Sequence, residues 1–399
     1  MNGQYRQREL ESTLKRAAAQ FPAIVLTGPR QSGKTTLLRH LYSETHGYVT
    51  LDDPQVRQLA LSDPKLFLEQ YPPPIIIDEI QYAPSLLPYL KIAIDRQRQG
   101  KGLFLLTGSQ QFPLMQGVTE SLAGRTAVLT LLPMSWREIL SDVEATSLTG
   151  QRLAAGWLRG SFPELVVNPD ADNQLWYAGY LQTYLERDVR SLRQVGDLGE
   201  FQNFLQALAA RNGQLLKLSE ISRDLGIAVN TVKAWLRILE ASQQIFLLRP
   251  YHKNLGKRLI KSPKLYFIDL GLLCYLSGLR DAAHALQGPA AGALMETAIF
   301  GELLRNYSNQ GKVPQLYFWR TSKGEEVDFI IETPDGLVAI EGKLTKTPSA
   351  PLAGTLEKLS DLFAADFKNG YLVCLTEQTI ALTNKIEAVP FSWLIKQRF

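Results

Sequence analysis

The chain has 399 residues, more than a single hydrophobic core usually organises, so more than one domain is expected. Hydrophobic residues make up 45% of the chain and charged residues 21%, a balance typical of folded globular proteins that argues against extensive disorder. The net charge of +4 is too small to indicate nucleic-acid binding by itself. With two cysteines and four histidines in no clustered spacing, the composition also argues against a disulfide framework or a zinc site.

The sequence also bears on the compartment of the protein. Its beginning, MNGQYRQRELESTLKR, lacks the apolar core of a signal peptide, and no later stretch approaches the roughly 18 apolar residues of a membrane-spanning helix. Cys274 and Cys374 lie in apolar stretches, which is typical of buried free thiols in a reducing environment. We therefore expect a cytoplasmic protein with no membrane partner.

Between residues 22 and 132, short apolar runs alternate with helix-like segments. This alternation is typical of an α/β domain with a largely parallel sheet. The predicted strands are residues 23–27, 48–51, 75–78, 103–107 and 127–131.

The turn after the first predicted strand contains a phosphate-binding pattern. Its eight positions follow G-x-x-x-x-G-K-[ST], and they are Gly28, Pro29, Arg30, Gln31, Ser32, Gly33, Lys34 and Thr35, with Thr36 next in the helix. The glycines let backbone N–H groups point at phosphate oxygens, Lys34 can reach the terminal phosphates, and Thr35 can coordinate Mg²⁺. Because the pattern lies between a strand and a helix, it predicts a site for ATP and Mg²⁺.

The predicted strand Ile75–Asp78 ends in two adjacent carboxylates. Asp78 is placed to hold the Mg²⁺ shell, and Glu79 is placed to orient and activate the water that attacks the γ-phosphate. A buried strand that merely ends at a polar turn is the alternative interpretation. The presence of the phosphate loop favours the catalytic one.

Two more polar residues near strand ends are candidates for the same site. Ser109 follows the strand that ends at Thr107 and could sense the γ-phosphate, although an ordinary Gly-Ser turn would have the same sequence. Arg125 precedes the last strand and could act as an arginine finger, in its own subunit or in a neighbour within a homo-oligomer. A surface arginine is the alternative.

Several stretches along most of the chain resemble the bacterial and archaeal family of AAA-like ATPases that carry a C-terminal domain of unknown function. The matching stretches are residues 28–36, 51–54, 77–81, 106–109, 122–125 and 132–138, and farther on GSFPE at 160–164, YLERD at 184–188 and KLYFID at 264–269. The resemblance implies an ATP-binding AAA-type core.

After the sheet domain, helical periodicity over residues 150–208 predicts a helical lid or linker. Residues 218–227 and 230–239 then follow the pattern of a helix-turn-helix, in which Gly226 permits the tight turn. A strip without acidic residues comes next and carries Arg249, Lys253, Lys257, Arg258, Lys261 and Lys264. These features predict a winged helix that binds DNA through phosphate contacts, with a structural or protein-contact module as the alternative.

The last part of the chain carries the pattern D-…-E-x-K. Asp328 lies on one predicted strand, Glu341 and Lys343 lie on the next, and Glu296 lies on a preceding helix. This order resembles the signature of the restriction-endonuclease-like fold, in which Glu296, Asp328 and Glu341 would hold a divalent metal. Lys343 would stabilise the attacking water or help to deprotonate it. The alternative is a nuclease-like fold retained for binding alone.

These features predict an α/β chain of four domains. They are an AAA-like P-loop parallel-sheet ATPase core (1–145), a helical lid or linker (146–210), a winged helix (211–285) and an α+β restriction-endonuclease-like domain (286–399). We expect a DNA-associated ATPase in which the nucleotide state moves the winged-helix and nuclease-like half. The alternative, from a different class, is a nucleotide-controlled protein-interaction switch without nuclease activity.

Overall fold

The computed structural model describes residues 5–97, 99–108, 121–140, 148–184, 198–252 and 262–399. The chain divides into two compact units. The first unit comprises Met1–Pro133 with the short pieces Ala241–Gln243 and Ser308–Lys312, and the second comprises Met134–Glu240, Gln244–Tyr307 and Val313–Phe399. Within the described ranges, no helix has both the length and the apolar character needed to cross a membrane.

A five-stranded parallel sheet forms the centre of the first unit. Its strands are β1 (Ala23–Thr27), β2 (Gly47–Thr50), β3 (Ile75–Asp78), β4 (Phe104–Gly108) and β5 (Thr126–Thr130), in the order β2-β3-β4-β1-β5. Every strand lies within one residue of its predicted position, and the predicted parallel pairing is confirmed. The central strands are continuous apolar runs because both of their faces are covered.

Helices cover both faces of this sheet. They are α1 (Glu11–Gln20), α2 (Lys34–Tyr42), α3 (Pro54–Ser62), α4 (Pro64–Gln70) and α5 (Leu87–Arg96). Successive side chains of β1 point to opposite faces, as the strand period of two requires. Ile24 and Leu26 therefore pack with Leu37 of α2, whereas Val25 packs on the other face with Leu90 of α5.

The second unit begins with helices. They are α6 (Trp136–Ile139), α7 (Gly150–Arg159), α8 (Pro163–Val167), α9 (Asn173–Tyr184), α10 (Leu198–Ala209), α11 (Leu218–Leu225) and α12 (Val229–Ala241). Helix α11 ends at Gly226, whose φ of +69° is a left-handed conformation that glycine adopts without strain. Helix α12 buries Val232 and Leu239 and exposes Lys233 and Arg237, as the amphipathic pattern predicts.

A strand pair and three helices follow. Strands β6 (Ile245–Leu248) and β7 (Lys264–Phe267) pair in antiparallel fashion, and Leu215 forms an isolated bridge to Lys264. The helices are α13 (Leu270–Leu276), α14 (Ala282–Gln287) and α15 (Ala291–Asn309). Cys274 of α13 and the distant Cys374 are buried free thiols. Burial, followed by the charge of Asp269, raises the pKa of Cys274 to about 12, which leaves little reactive thiolate.

The second unit ends in a six-stranded mixed sheet. Its strands are β8 (Leu316–Arg320), β9 (Glu326–Thr333), β10 (Gly336–Gly342), β11 (Phe367–Cys374), β12 (Ile380–Ala381) and β13 (Ile386–Pro390), in the order β12-β13-β11-β10-β9-β8. Strands β8 to β10 are antiparallel, whereas β10, β11 and β13 are parallel. Helix α16 (Gly354–Leu362) packs Leu356 and Leu359 on this sheet, and α17 (Phe391–Lys396) follows β13. Beyond β11, the strands β13 and β12 extend the sheet to its edge.

Asp269 is a buried hydrogen-bond acceptor that joins the GSFPE and KLYFID stretches. Its carboxylate accepts the N–H and the hydroxyl of Ser161, each at 2.8 Å, and the hydroxyl of Tyr177 at 2.6 Å. Gly160 has a φ of +79°, and a Cβ atom there would lie 1.9 Å from the Tyr177 hydroxyl. Only glycine fits at this position, so the two stretches serve the packing of the second unit.

Candidate functional site

The loop between β1 and α2 has the backbone shape that its glycines predict. Gly28, Gln31 and Gly33 have φ values of +152°, +59° and +91°, and α2 begins at Lys34 directly after this turn. A Cβ atom at Gly28 would lie 2.2 Å from the carbonyl oxygen of Leu131, so glycine is required there. The loop leads into the N-terminus of α2, where backbone N–H groups and the helix dipole favour an anion.

Two side chains inside this loop fit an anionic ligand. Ser32 is fully buried, and its Oγ has no hydrogen-bond partner among the described residues. Lys34 is buried as well, and its Nζ donates to the carbonyl oxygens of Gly28 at 3.1 Å and Pro29 at 2.8 Å. A buried hydroxyl without a partner costs free energy that a phosphate oxygen would recover, and the ammonium already lies inside the loop.

Asp78, at the end of β3, lies next to the first turn of α2. The hydroxyl of Thr35 donates to the two carboxylate oxygens of Asp78 at 2.9 and 3.0 Å, and the hydroxyl of Tyr48 donates at 3.0 Å. A hydroxyl beside a carboxylate offers the oxygen ligands that Mg²⁺ prefers. The structure therefore brings the predicted metal ligands Thr35 and Asp78 together.

Glu79 follows Asp78 in a left-handed conformation, with φ +58° and ψ +45°. This conformation costs a residue with a Cβ on the order of 1–3 kcal/mol and clusters at functional sites. The Glu79 carboxylate accepts a hydrogen bond from Nε2 of Gln81, and the Glu79 backbone N–H donates to the hydroxyl of Thr107 at 3.1 Å. Gln81 thus restrains the carboxylate that the sequence assigns to water activation.

Three residues outside the predicted site contact these two acidic side chains: Thr107, Tyr48 and Gln81. Thr107 donates its hydroxyl to Asp78. Burial, followed by the charge of Asp78, raises the pKa of Tyr48 to about 12, so its hydroxyl remains a donor at neutral pH. The sequence signal for Thr107 is its place at the end of β4, because the carboxyl ends of neighbouring parallel strands meet at one edge of the sheet.

The other candidates of the first unit surround this group or lie away from it. Ser109 lies outside the described residues. Arg125 donates two hydrogen bonds to Asp95, at 2.7 and 3.1 Å, on the exposed surface. Gln31 and Thr36 are exposed, and Arg30 is half-buried. The roles assigned to Ser109 and Arg125 stay predictions.

A group of carboxylates lies in the second unit. Glu296 of α15 and Glu326 and Asp328 of β9 each offer an oxygen within 4.8 Å of the others. Nζ of Lys264 lies 2.8 Å from Oε1 of Glu296 and also pairs with Glu326, and the hydroxyl of Tyr266 donates to Glu296. The group is therefore an ion network in which one buried lysine forms ion pairs with two of the three carboxylates.

Burial and charge shift the protonation of this network. Burial, followed by the charge of Glu296, raises the pKa of Asp328 well above its ordinary value, although Lys264 and a hydrogen bond from the Gly342 N–H oppose this rise. For Lys264, burial lowers the pKa, but the charges of Glu296, Asp328 and Glu326 outweigh it and the pKa is raised. Lys264 therefore stays charged, whereas burial shifts the titration of Asp328 to higher pH.

Glu341 and Lys343 lie at the end of β10. Glu341 does not belong to the group within 4.8 Å, in which Glu326 instead joins the predicted ligands Glu296 and Asp328. Nζ of Lys343 lies 2.8 Å from Oε1 of Glu341, as expected for residues on one face of a strand. Oε2 of Glu341 is buried without a hydrogen-bond partner among the described residues, which fits a cation at this place.

The predicted basic strip is described only in part. Arg249 is exposed, whereas Lys253, Lys257, Arg258 and Lys261 lie outside the described residues. Lys264 is 2% exposed and pairs with two carboxylates, so the prediction that it contacts phosphates is wrong. A nucleic-acid backbone cannot reach an ammonium group inside a buried ion network.

Three family models match successive parts of the chain. Residues 20–140 match an AAA domain, residues 150–283 match a domain of unknown function (DUF8612), and residues 291–394 match a domain of unknown function (DUF4143). The first match confirms the AAA-like P-loop ATPase core that the phosphate loop predicts. The third match names no fold, so the restriction-endonuclease-like assignment stays a prediction.

Two solved structures show a partial likeness to the chain. The Walker-type ATPase PABY2304 of Pyrococcus abyssi is 17% identical, with a TM-score of 0.48, and the match covers 69% of this chain and 97% of that one. A single-substitution variant of RuvB from Thermotoga maritima is 16% identical, with a TM-score of 0.29, over 60% of this chain and 86% of that one. Neither likeness shows the fold or the function of this chain.

Two mycobacterial proteins are similar along most of the sequence. They are the uncharacterized proteins Rv2008c of Mycobacterium tuberculosis and Mb2031c of Mycobacterium bovis. Each is 34% identical over 344 residues, which span 86% of this chain and 75% of the relative. The chain, with its AAA domain at residues 20–140, therefore belongs to the same family as these two mycobacterial proteins.

Proposed function

We propose that the chain binds ATP with Mg²⁺ through residues 28–36 and hydrolyses it. The observation that carries this proposal is the hydrogen bond of Thr35 to Asp78 beside the phosphate loop in which the Lys34 ammonium is buried. The fully buried Ser32 Oγ without a partner supports it, because it lies within the loop that would surround the phosphates. We expect the reaction in the cytoplasm, where ATP is available and a thiol such as Cys274 stays reduced.

Each residue of the site has its own role in the proposed hydrolysis. Lys34 would exchange the carbonyl oxygens of Gly28 and Pro29 for phosphate oxygens, and Thr35 and Asp78 would hold the metal. Mg²⁺ supplies positive charge that polarises the phosphoryl oxygens. Glu79 orients the attacking water and accepts its proton once Gln81 releases the carboxylate.

Calorimetric titration of the full-length protein with ATP and Mg²⁺ tests this proposal. Lys34→Ala should lower the affinity about ten- to 100-fold, because it removes hydrogen bonds from a charged donor. Lys65→Ala, at an exposed lysine on α4, is the matched control and should bind ATP like the wild type. Wild-type affinity and turnover in Lys34→Ala, in a preparation free of other ATPases, would contradict the proposal.

We also propose that the protein forms a homo-oligomer. In it, Arg125 of one subunit would reach the phosphates bound by its neighbour. It is exposed enough to leave Asp95, its partner in an ion pair of 2.7 Å. Sedimentation velocity with and without ATP, combined with turnover of Arg125→Ala, tests this. A monomer that hydrolyses ATP with full activity after Arg125→Ala would contradict it.

We further propose that α10, α11, α12, β6 and β7 form a winged helix that binds DNA. Three helices followed by an antiparallel strand pair, with the bridge of Leu215 to Lys264 beside it, support this assignment. Lys233 and Arg237 are exposed on α12, the helix that would enter the groove. Their joint replacement by Ala should weaken DNA binding and reduce its salt dependence, whereas Lys346→Ala should not. Unchanged binding would favour a protein-contact module.

The C-terminal half of the second unit supports a nuclease-like domain. Helix α15, the antiparallel strands β8 to β10, helix α16 and the parallel strand β11 follow one another, and Asp328, Glu341 and Lys343 lie on β9 and at the end of β10. The buried free oxygen of Glu341 supports a divalent metal and cleavage of nucleic acid. Mn²⁺-dependent cleavage that is lost in Asp328→Ala would support this function.

The ion pairs of Lys264 favour the alternative, a protein-interaction switch without nuclease activity. Its ammonium already neutralises Glu296 and Glu326, two of the carboxylates that a metal would need. Absence of cleavage with Mg²⁺ and Mn²⁺ across single-stranded and double-stranded DNA and RNA would support this second candidate. The ATPase proposal is independent of this outcome.

A further inference from the structure

A pocket borders the phosphate loop of the first unit. Its volume is about 360 Å³, and it is lined by Tyr5, Thr35, Thr36, Arg39, His40 and Ser43. Thr35 belongs to the phosphate loop, and the residues from Thr36 to His40 continue along α2. The pocket therefore begins where the phosphate site ends, and its volume falls in the range of small-molecule sites.

Tyr5 and His40 form an aromatic surface in this pocket. Their ring centres lie 3.6 Å apart, and their planes are inclined by 16°. The hydroxyl of Tyr5 donates to Oε1 of Glu11 at 2.8 Å, and the same oxygen accepts a hydrogen bond from the backbone N–H of Arg8 at 2.9 Å. The Tyr5 ring is thus held both by stacking and by a hydrogen bond.

Arg8 connects this aromatic surface to the phosphate loop. Its side chain is buried, and the guanidinium donates to the carbonyl oxygen of Ser32 at 2.8 Å and to that of Leu132 at 2.6 Å. Ser32 is the residue whose hydroxyl lacks a hydrogen-bond partner within the described part of the chain. The segment that carries Tyr5 is therefore anchored to the phosphate site itself.

We propose that Tyr5 and His40 bind the base of a purine nucleoside triphosphate whose phosphates lie in the loop of residues 28–36, an inference that rests on the proposed function. Thr36 and His40 are four residues apart, which places them on one face of α2 about 6 Å apart along its axis. The sugar spans this turn, and the base stacks on the aromatic surface. Because the two rings are stacked face to face, the base lies on the outer face of the pair. A purine offers a larger face for this contact than a pyrimidine does, so ATP and GTP bind more tightly than CTP or UTP.

Binding of ATP, CTP and inorganic tripolyphosphate to the full-length protein, measured by calorimetry with Mg²⁺, tests the inference. Tyr5→Ala and His40→Ala should each weaken ATP binding about five- to 100-fold, the loss expected for one base-stacking contact, and should leave tripolyphosphate binding unchanged. Tyr5→Phe keeps the ring and loses only the hydrogen bond to Glu11, so it should bind ATP more tightly than Tyr5→Ala. Tyr89→Ala, at an exposed tyrosine of α5, is the matched control.

The outcomes separate this inference from the proposed function. ATP binding that depends on Lys34 but is unchanged in both Tyr5→Ala and His40→Ala overturns the base site and leaves the ATPase proposal intact. Equal loss of ATP and tripolyphosphate binding in Tyr5→Ala assigns Tyr5 to support of the phosphate loop and also overturns the base site. ATP binding that does not depend on Lys34 overturns both.

Discussion

Thr107, at the end of β4, donates a hydrogen bond from its hydroxyl to the carboxylate of Asp78, at the end of β3. The same hydroxyl accepts the backbone N–H of Glu79 at 3.1 Å. One side chain therefore orients the proposed metal ligand Asp78 and fixes the backbone of the proposed catalytic base Glu79. The contact depends on parallel pairing of β3 with β4, which places the two strand ends side by side.

Thr107→Val keeps the shape of the side chain and removes its hydroxyl. We expect ATP turnover to fall about ten- to 100-fold, because a hydrogen bond to a charged group contributes about 1.5–3 kcal/mol. Thr107→Ser keeps the hydroxyl and should retain most of the activity. Steady-state ATP turnover, measured over a Mg²⁺ titration, tests this effect. An unchanged rate in Thr107→Val would mean that Thr107 contributes packing alone and that its hydroxyl has no effect on turnover.

Glu79→Gln replaces the proposed base with an amide that cannot accept the proton of water. We expect turnover to fall about 10²- to 10⁴-fold while the affinity for ATP stays close to that of the wild type. Single-turnover hydrolysis and calorimetric binding measure the two effects separately. Glu69→Gln, at an exposed glutamate of α4, should change neither. Wild-type turnover in Glu79→Gln would mean that another group is the catalytic base.

Gly160→Ala should destabilise the second unit. The added Cβ atom would lie 1.9 Å from the Tyr177 hydroxyl and 2.8 Å from a carboxylate oxygen of Asp269. Overpacking of this kind typically costs about 1–3 kcal/mol, and a side chain on this backbone, with φ +79° and ψ −172°, adds about 1–3 kcal/mol. Thermal unfolding of the protein should show a lower Tm. Gly179→Ala is the control, because, apart from the adjacent backbone of α9, no atom of the described residues lies within 4 Å of its Cβ position and Ala favours a helix.

Lys264→Met should increase the affinity of the second unit for divalent cations. The substitution removes the ammonium that pairs with Glu296 and Glu326 and leaves those carboxylates for a metal. We expect Mn²⁺ to raise the Tm of Lys264→Met more than that of the wild type, since a ligand that binds only the folded state stabilises it. Lys358→Met, which removes an exposed ion pair with Glu325, is the control. Equal Mn²⁺ responses in the wild type and Lys264→Met would contradict this expectation.

Asp328→Asn should alter the pH dependence of stability. The folded protein raises the pKa of Asp328 above its unfolded value, mainly through burial. The contribution of this group to stability is therefore complete below the unfolded pKa of about 3.9 and is lost as pH rises through the folded pKa. In EDTA, the variant should gain stability relative to the wild type as pH rises from the unfolded pKa of about 3.9 toward the raised folded pKa. Urea unfolding midpoints measure this, and a difference that is constant with pH would contradict it.

The phosphate loop was identifiable from the sequence because its requirements are local. Gly28 and Gly33 permit backbone conformations that other residues resist, and Lys34 follows at a fixed spacing. The buried parallel strands were identifiable for a similar reason, since burial on both faces demands a continuous apolar run such as β1. Strand β13 gives no such signal, because Ile386–Pro390 contains a glutamate and a proline, and its extended state depends on pairing with β11.

Side-chain partners that lie far apart in the sequence were decided only by the tertiary structure. Lys264 has basic neighbours along the chain, and this local pattern predicted a phosphate contact. Folding instead places its ammonium beside Glu296, 32 residues away, and beside Glu326 on β9. Tyr48 and Thr107 reach Asp78 in the same way, across strands that the sequence separates by 30 and 29 residues. Backbone propensity and motif spacing act within a few residues, whereas the pairing of charges and hydroxyl groups depends on which elements pack together.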